Sequence, residues 1–199
     1  MHALIVIGHH DPDSLTHAIA EQIAAGLRAA GHTSELADLA GEGFDPRFSL
    51  ADHAVHRLQA APPADVLAEQ ARIDRADTLV LVYPVYWWSL PALLKGWVER
   101  VFSHGWAFAY TAEGKINKLL KGRTAHLVGV AGADAGTFDR HGYGEAMRVQ
   151  IEHGIFDYCG AKVLSSTLFT DSEIEPGSSF LAPAHALGQA LFEDHEAAA

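Results

Sequence analysis

Cysteine is nearly absent. Cys159 stands alone, so the chain cannot close an internal disulfide, and a buried free thiol in a reducing compartment is expected. Positive charge is scarce as well: 14 Lys and Arg against 25 Asp and Glu leave a net charge of -11, which repels a phosphate backbone and excludes DNA and RNA as partners. No apolar run approaches the roughly 20 residues of a membrane span. Residues 1–20 also lack the basic start and unbroken apolar core of a secretory signal, so the chain reads as cytoplasmic. Histidine is the exception to this sparseness, with 13 copies, but they are scattered. His9 adjoins His10, His53 and His56 sit three apart, and neither HExxH nor a Cys/His cluster accompanies them; no metal site is expected.

A chain of 199 residues that is 49% hydrophobic can fill one substantial core, and a single domain over residues 1–199 is expected. Residues 3–7 form an apolar β-prone run without polar alternation, the pattern of a strand buried on both faces of a parallel sheet. Residues 15–30 follow as a helix, with Ile19, Ile23 and Leu27 on one face and Gly31 closing it. Further strands are expected over 33–39, 78–83, 124–130 and 162–169. Helices are expected over 49–59, 65–75, 90–102, 145–158 and 183–195, with Ser89 as the cap of the fourth sheet-packing helix and Pro91 in its first turn. Residues 40–64 read as an excursion broken by Gly and Pro, residues 103–121 as irregular, and residues 132–144 as a glycine-rich loop. Five strands alternating with helices predict an α/β fold, a doubly wound five-stranded parallel sheet of order 2-1-3-4-5.

The most informative stretch runs from Tyr83 through Pro84, Val85, Tyr86, Trp87, Trp88 and Ser89 to Pro91. Two prolines stiffen a loop carrying three aromatics, which suits a flat conjugated ligand; ordinary apolar filling is the competing reading. In this strand order the loops after the first, third and fourth strands meet at the switch point of the sheet, so one ligand can touch all three. The first of these loops opens a helix whose unpaired amides suit a phosphate, with Ser14, Thr16 and His9 as further donors. It contains neither GxGxxG nor GxxxxGK[ST], which argues against a dinucleotide fingerprint and a P-loop.

The stretch Pro84-Val85-Tyr86-Trp87-Trp88-Ser89-Leu90-Pro91-Ala92-Leu93-Leu94-Lys95-Gly96-Trp97, continuing to Glu99-Arg100-Val101-Phe102, resembles the NAD(P)H:quinone oxidoreductases of the flavodoxin-like fold. So do Leu4-Ile5-Val6-Ile7-Gly8-His9, Ser14-Leu15-Thr16 and Ala68-Glu69-Gln70. Ser103-His104-Gly105-Trp106-Ala107 is similar to the bacterial branch that includes ancillary subunits of potassium-efflux systems. The resemblance implies a flavin, with FAD slightly favoured over FMN, and NAD(P)H as hydride donor to a quinone or to an azo or nitro compound. It implies that His9, Ser14, Leu15 and Thr16 hold the phosphate end. Pro84, Val85, Tyr86, Trp87 and Trp88 would carry the ring, with Ala131, Gly132, Ala133 and Asp134 on its other side. Trp106, Phe108, Tyr110 and Phe138 would form the substrate pocket, the first three covering the flavin of a partner in a homodimer. The relay tyrosine and histidine of some members fall on Phe138 and Gly144, and Tyr143 and His141 are the candidate catalytic substitutes. Two alternatives stay open: a regulatory flavin subunit of a membrane transporter, and a flavodoxin-like electron carrier.

Overall fold

The computed structural model describes residues 1–193, so the end of the last expected helix, at His195, lies outside the described residues. In chain order the elements are β1 (His2–Ile7), α1 (Leu15–Ala29), β2 (Thr33–Asp38), α2 (Leu50–His56), α3 (Ala64–Arg75), β3 (Thr78–Pro84) and α4 (Ala92–Val101). There follow β4 (Phe108–Tyr110), β5 (Ile116–Lys118), β6 (Thr124–Val130), α5 (Ala135–His141), α6 (Tyr143–Met147), a π-helical segment Arg148–Asp157, β7 (Lys162–Phe169) and α7 (Leu181–Ala190). Five of the strands make one sheet, ordered β2-β1-β3-β6-β7 and parallel throughout. That is the expected order once β4 and β5 are counted separately. These two pair with each other as an antiparallel hairpin in the stretch read as irregular. Three-residue strands are too short for an alternating pattern to register in the sequence.

Alternate residues of each strand enter two cores. Leu4, Val6, Leu79, Leu81 and Leu127 face α3, α4 and the π-helical segment, whereas Ile5, Val80, Val82 and Val128 face α1 and α7. Seating α7 on α1 requires two glycines. A Cβ at Gly26 would lie 2.1 Å from the His185 carbonyl oxygen, and one at Gly188 would lie 2.2 Å from that of Ile23.

Several boundaries differ from expectation for local reasons. Pro91, not Ser89, is the residue before α4, and the Ser89 hydroxyl donates instead to Gln150 Oε1. The glycine-rich loop contains α5, capped by Asp134 and closed by Gly142 in the left-handed region at φ 69°. The helix expected from residue 145 begins at Tyr143 and is largely π-helical. The last helix starts at Leu181, which puts Pro183 in its first turn, where a missing N–H costs nothing.

Residues 40–64 are held against α4 by close approach and by charge. A Cβ at Gly96 would meet the Pro46 carbonyl oxygen at 2.2 Å. Buried Arg100 donates from Nε to Asp52 (3.0 Å) and from Nη1 to Asp65 (2.7 Å) and to the Asp45 carbonyl (2.7 Å). Burial works against ionisation of Asp52. The Ser49 hydroxyl and amide and the Arg100 guanidinium outweigh it and hold the carboxyl below the ordinary range. A depressed carboxyl contributes stability above its unfolded-state value of about 3.9 and loses it as pH falls through the folded value. Arg100→Ala should therefore destabilise by about 3–5 kcal/mol in urea titrations at pH 7. Its acid unfolding should begin at higher pH than that of the parent chain, and coincident acid transitions would contradict this account.

Candidate flavin cleft

Each wall of the cleft begins where a buried strand ends. After β3, the Val85 amide donates to the Val130 carbonyl (2.8 Å), and Tyr86 and Ser89 exchange backbone hydrogen bonds at 3.2 and 3.1 Å. That pairing closes a two-residue corner and drives Trp87 to φ 49° and Trp88 to φ 60°. Such corners ordinarily use Asn-Gly, because left-handed backbone strains a bulky residue by about 1–3 kcal/mol. Trp87 is 92% exposed, so its ring recovers little of that cost by burial. Of the amides expected to meet a ligand here, those of Val85 and Tyr86 are occupied and Pro84 has none. Those of Trp87 and Trp88 donate to no group among the described residues.

The Trp88 ring stacks on Tyr143 at 3.8 Å and meets the edge of Phe138 at 5.4 Å, while His141 stacks on the other partner, Tyr143, at 5.2 Å. Tyr143 and His141 are thus joined to the aromatic loop through Trp88. Opposite lies the segment after β6. Its Ala131 amide donates to Phe169 (2.8 Å), and the Ala131 and Ala133 carbonyls accept from Ser172 (3.1 Å) and Asp171 (3.2 Å). The Gly132 and Ala133 amides remain without acceptors among the described residues. Between the walls is a cleft of about 350 Å³ bounded by Val85, Trp87, Trp88, Ala131, Gly132, Ala133, Phe138 and Glu173. Asp134 serves as the α5 cap, accepting from the Thr137 amide (2.8 Å) and hydroxyl (2.9 Å), contacts that hold its carboxyl below the ordinary range.

Glu173 had no signal in the sequence. It comes from an irregular loop turned back by Asp171 at φ 61°. Its carboxylate covers Gly132 so closely that a Cβ there would sit 2.9 Å from Oε1.

At the end expected to hold a phosphate, Ser14 caps α1 by accepting from the His17 amide (3.3 Å) and lies 2.8 Å from His17 Nδ1. The first-turn amides of Leu15 and Thr16 have no intrahelical acceptor. His9 Nδ1 accepts from the Asp11 amide (3.0 Å), and its ring stacks on His10 at 4.6 Å. Burial, then the neighbouring His10, lower its pKa below the usual histidine value. His17, overlooked in the sequence, completes this end with Nε2 3.2 Å from Asp38.

Trp106, Phe108 and Tyr110 do not line this cleft in the same chain. Trp106 Nε1 donates to Asp74 (3.4 Å), and Phe108 stacks on His104 at 5.3 Å. The Tyr110 and Tyr158 hydroxyls are 3.3 Å apart. That hydrogen bond and burial push Tyr158 up to about 12, and burial pushes the Cys159 thiol up to about 11. A thiol so shifted is a poor nucleophile at neutral pH, in keeping with the buried free thiol expected. Among the described residues, no three His, Cys, Asp or Glu side chains are placed to hold a metal ion. None of their helices is long and apolar enough to cross a membrane.

Trp87→Gly should stabilise the protein by about 1 kcal/mol, because glycine adopts the left-handed corner without strain. Urea titration checks this, and unchanged or lower stability would mean that the corner carries no net strain.

The family described as flavodoxin-like fold matches residues 1–190. A ribosyldihydronicotinamide dehydrogenase [quinone] of Mus musculus is 29% identical over 183 residues, covering 81% of this chain and 78% of its own. Among solved structures, an NAD(P)H:quinone oxidoreductase from Methanothermobacter marburgensis superposes with a TM-score of 0.88 at 28% identity, over 96% of this chain and 98% of that one. General stress protein 14 of Treponema denticola, solved in complex with FMN, gives 0.61 at 25% identity over 94% and 99%. The chain therefore belongs to the flavodoxin-like fold family, among its NAD(P)H:quinone oxidoreductases.

Proposed function

We propose that this chain is a flavin-dependent NAD(P)H:quinone oxidoreductase. The observation that carries this reading is the pair of facing amide sets, Trp87 and Trp88 on one wall and Gly132 and Ala133 on the other. Four donors unpaired among the described residues, around a slot with aromatic sides, fit the polar edge and flat faces of an isoalloxazine. The first-turn amides of α1 fit its phosphate. A flavin held there supplies reversible hydride acceptance between a nicotinamide and a quinone. The chain's own work is to stabilise the negative charge that builds on reduction, through these free amides, and to hold the two substrates in turn at reacting distance.

The lean towards FAD has no support from the cleft, because no residue of 40–64 lines it. FMN, the ligand of the Treponema relative, is at least as good a candidate. A transporter partner draws no support from the relatives. In a homodimer the partner's hairpin would cover the cleft, which gives half-exposed Tyr110 a role that a single chain does not.

Alternation of substrates predicts parallel double-reciprocal plots when NADPH or NADH and a benzoquinone are varied, the kinetic pattern of a ping-pong enzyme. Intersecting lines, or no nicotinamide oxidation by flavin-loaded protein, would contradict the proposal. We also propose that Tyr143 and His141, tied to Trp88, hold the proton that the reduced quinone oxygen takes up. Combined Tyr143→Phe and His141→Ala should then lower kcat by about a hundredfold, the low end for a positioned proton donor. Turnover equal to the parent's would remove the pair from the mechanism.

A further inference from the structure

On the sheet face opposite α1 lies a second cavity that the flavin reading leaves unused. It encloses about 220 Å³, and its wall includes Tyr83, Leu127, Arg148, Ile151, Glu152 and Thr167. Tyr83 is only 2% exposed, yet its hydroxyl has no hydrogen-bond partner among the described residues. That hydroxyl is therefore free to pair with water or with a ligand in the cavity. Burial, then the neighbouring Glu152 carboxylate, raise the Tyr83 phenol above its ordinary value and keep it protonated. Glu152 itself makes no ion pair among the described residues. The one cation of the wall, Arg148, is committed elsewhere: Nε and Nη2 to Glu145 at 2.8 and 2.7 Å, and Nη1 to His153 at 2.8 Å.

The cavity thus combines an apolar floor with a half-buried carboxylate that forms no close ion pair among the described residues, feeling Arg148 only at longer range, and an unused phenol. An anion would be repelled, and a neutral molecule would leave the carboxylate unmatched. A bare metal ion would find too few oxygens, because hard cations take six or more ligands, of which one protein carboxylate is a small part. We propose that this cavity binds a small organic ammonium ion with an apolar body, its N–H groups donating to Glu152 and to the Tyr83 oxygen. The wall between this site and the flavin cleft is thin. A Cβ at Gly129 would be 3.2 Å from Val85 Cγ2 and 3.8 Å from Tyr83 Cε2, so an occupant would sit directly behind the aromatic loop. The assignment stands on the cavity alone and does not depend on the flavin reading.

Benzylammonium is the probe, titrated calorimetrically into the full chain at pH 7 with and without saturating FMN, beside benzyl alcohol and benzoate. One saturable site that persists with FMN is expected for the ammonium, with no binding of benzoate. Glu152→Gln, checked for native fold by circular dichroism, should weaken it by about tenfold or more, since a hydrogen bond to a charged group is lost. Tyr83→Phe should cost a smaller factor, roughly threefold to tenfold, and gives a second reading if the first variant folds poorly. No saturation up to about 10 mM would mean that the cavity holds water only and would overturn the proposal. Displacement by FMN, or equal binding by E152Q, would do the same by moving the probe to another site.

Discussion

Burial of Thr78–Pro84 along its whole length is the constraint from which the rest follows. A strand sealed on both faces has no water for its amides and carbonyls, so they must pair with neighbouring strands on both edges. β1 and β6 supply those partners in parallel register. The chain consequently leaves the sheet at one fixed point, with Val85 still tied to Val130. The Tyr86–Ser89 reversal then has to be tight, and its two corner residues are tryptophans in a conformation suited to glycine. Stability given up at that corner is a common mark of a site built for binding.

The same fixed exit explains why the surrounding parts are so firmly seated. Gly96 and Arg100 on α4, the helix that follows the aromatic loop, lock residues 40–64 from one side. On the far side of the sheet, Gly26 and Gly188 let α7 press against α1, the helix whose first turn is proposed to hold the phosphate. Trp97 Nε1 donates to buried Glu69 (2.8 Å), whose other oxygen accepts from Arg72 (2.9 Å). The helix carrying the loop is therefore tied to α3 by a satisfied polar contact inside an apolar interface. The site is carried by rigid elements, and of the residues lining the cleft only Trp87 and Glu173, at its rim, are exposed.

The fold was legible wherever burial imposes a period. The continuous apolar runs of β1, β3 and β6 and the four-residue spacing of Ile19, Ile23 and Leu27 mark their elements and the adjacency of the three strands in the sheet. Short or irregular pieces left no such trace. The β4–β5 hairpin is held by three residue pairs and by a turn at Gly114, not by an amphipathic face. Ser89 has the look of a helix cap because it directly precedes the patterned stretch 90–102; the helix instead starts at Ala92, and tertiary contact with Gln150 takes the Ser89 hydroxyl. Glu173 enters the cleft through the backbone conformation of Asp171, which no side-chain pattern encodes. The place of Trp88 beside a flat ligand follows in the sequence from its residue type and the family resemblance, whereas its stack on Tyr143 depends on where α5 and α6 come to rest.

The central claim is that the cleft between Trp88 and Gly132 holds a flavin that exchanges hydride with a nicotinamide. The visible spectrum of the FMN-loaded or FAD-loaded protein under nitrogen tests this most directly. Addition of NADPH or NADH should bleach the bound flavin, and a stoichiometric quinone should restore it. A bound flavin that no nicotinamide bleaches, or a protein that takes up neither flavin, would contradict the account.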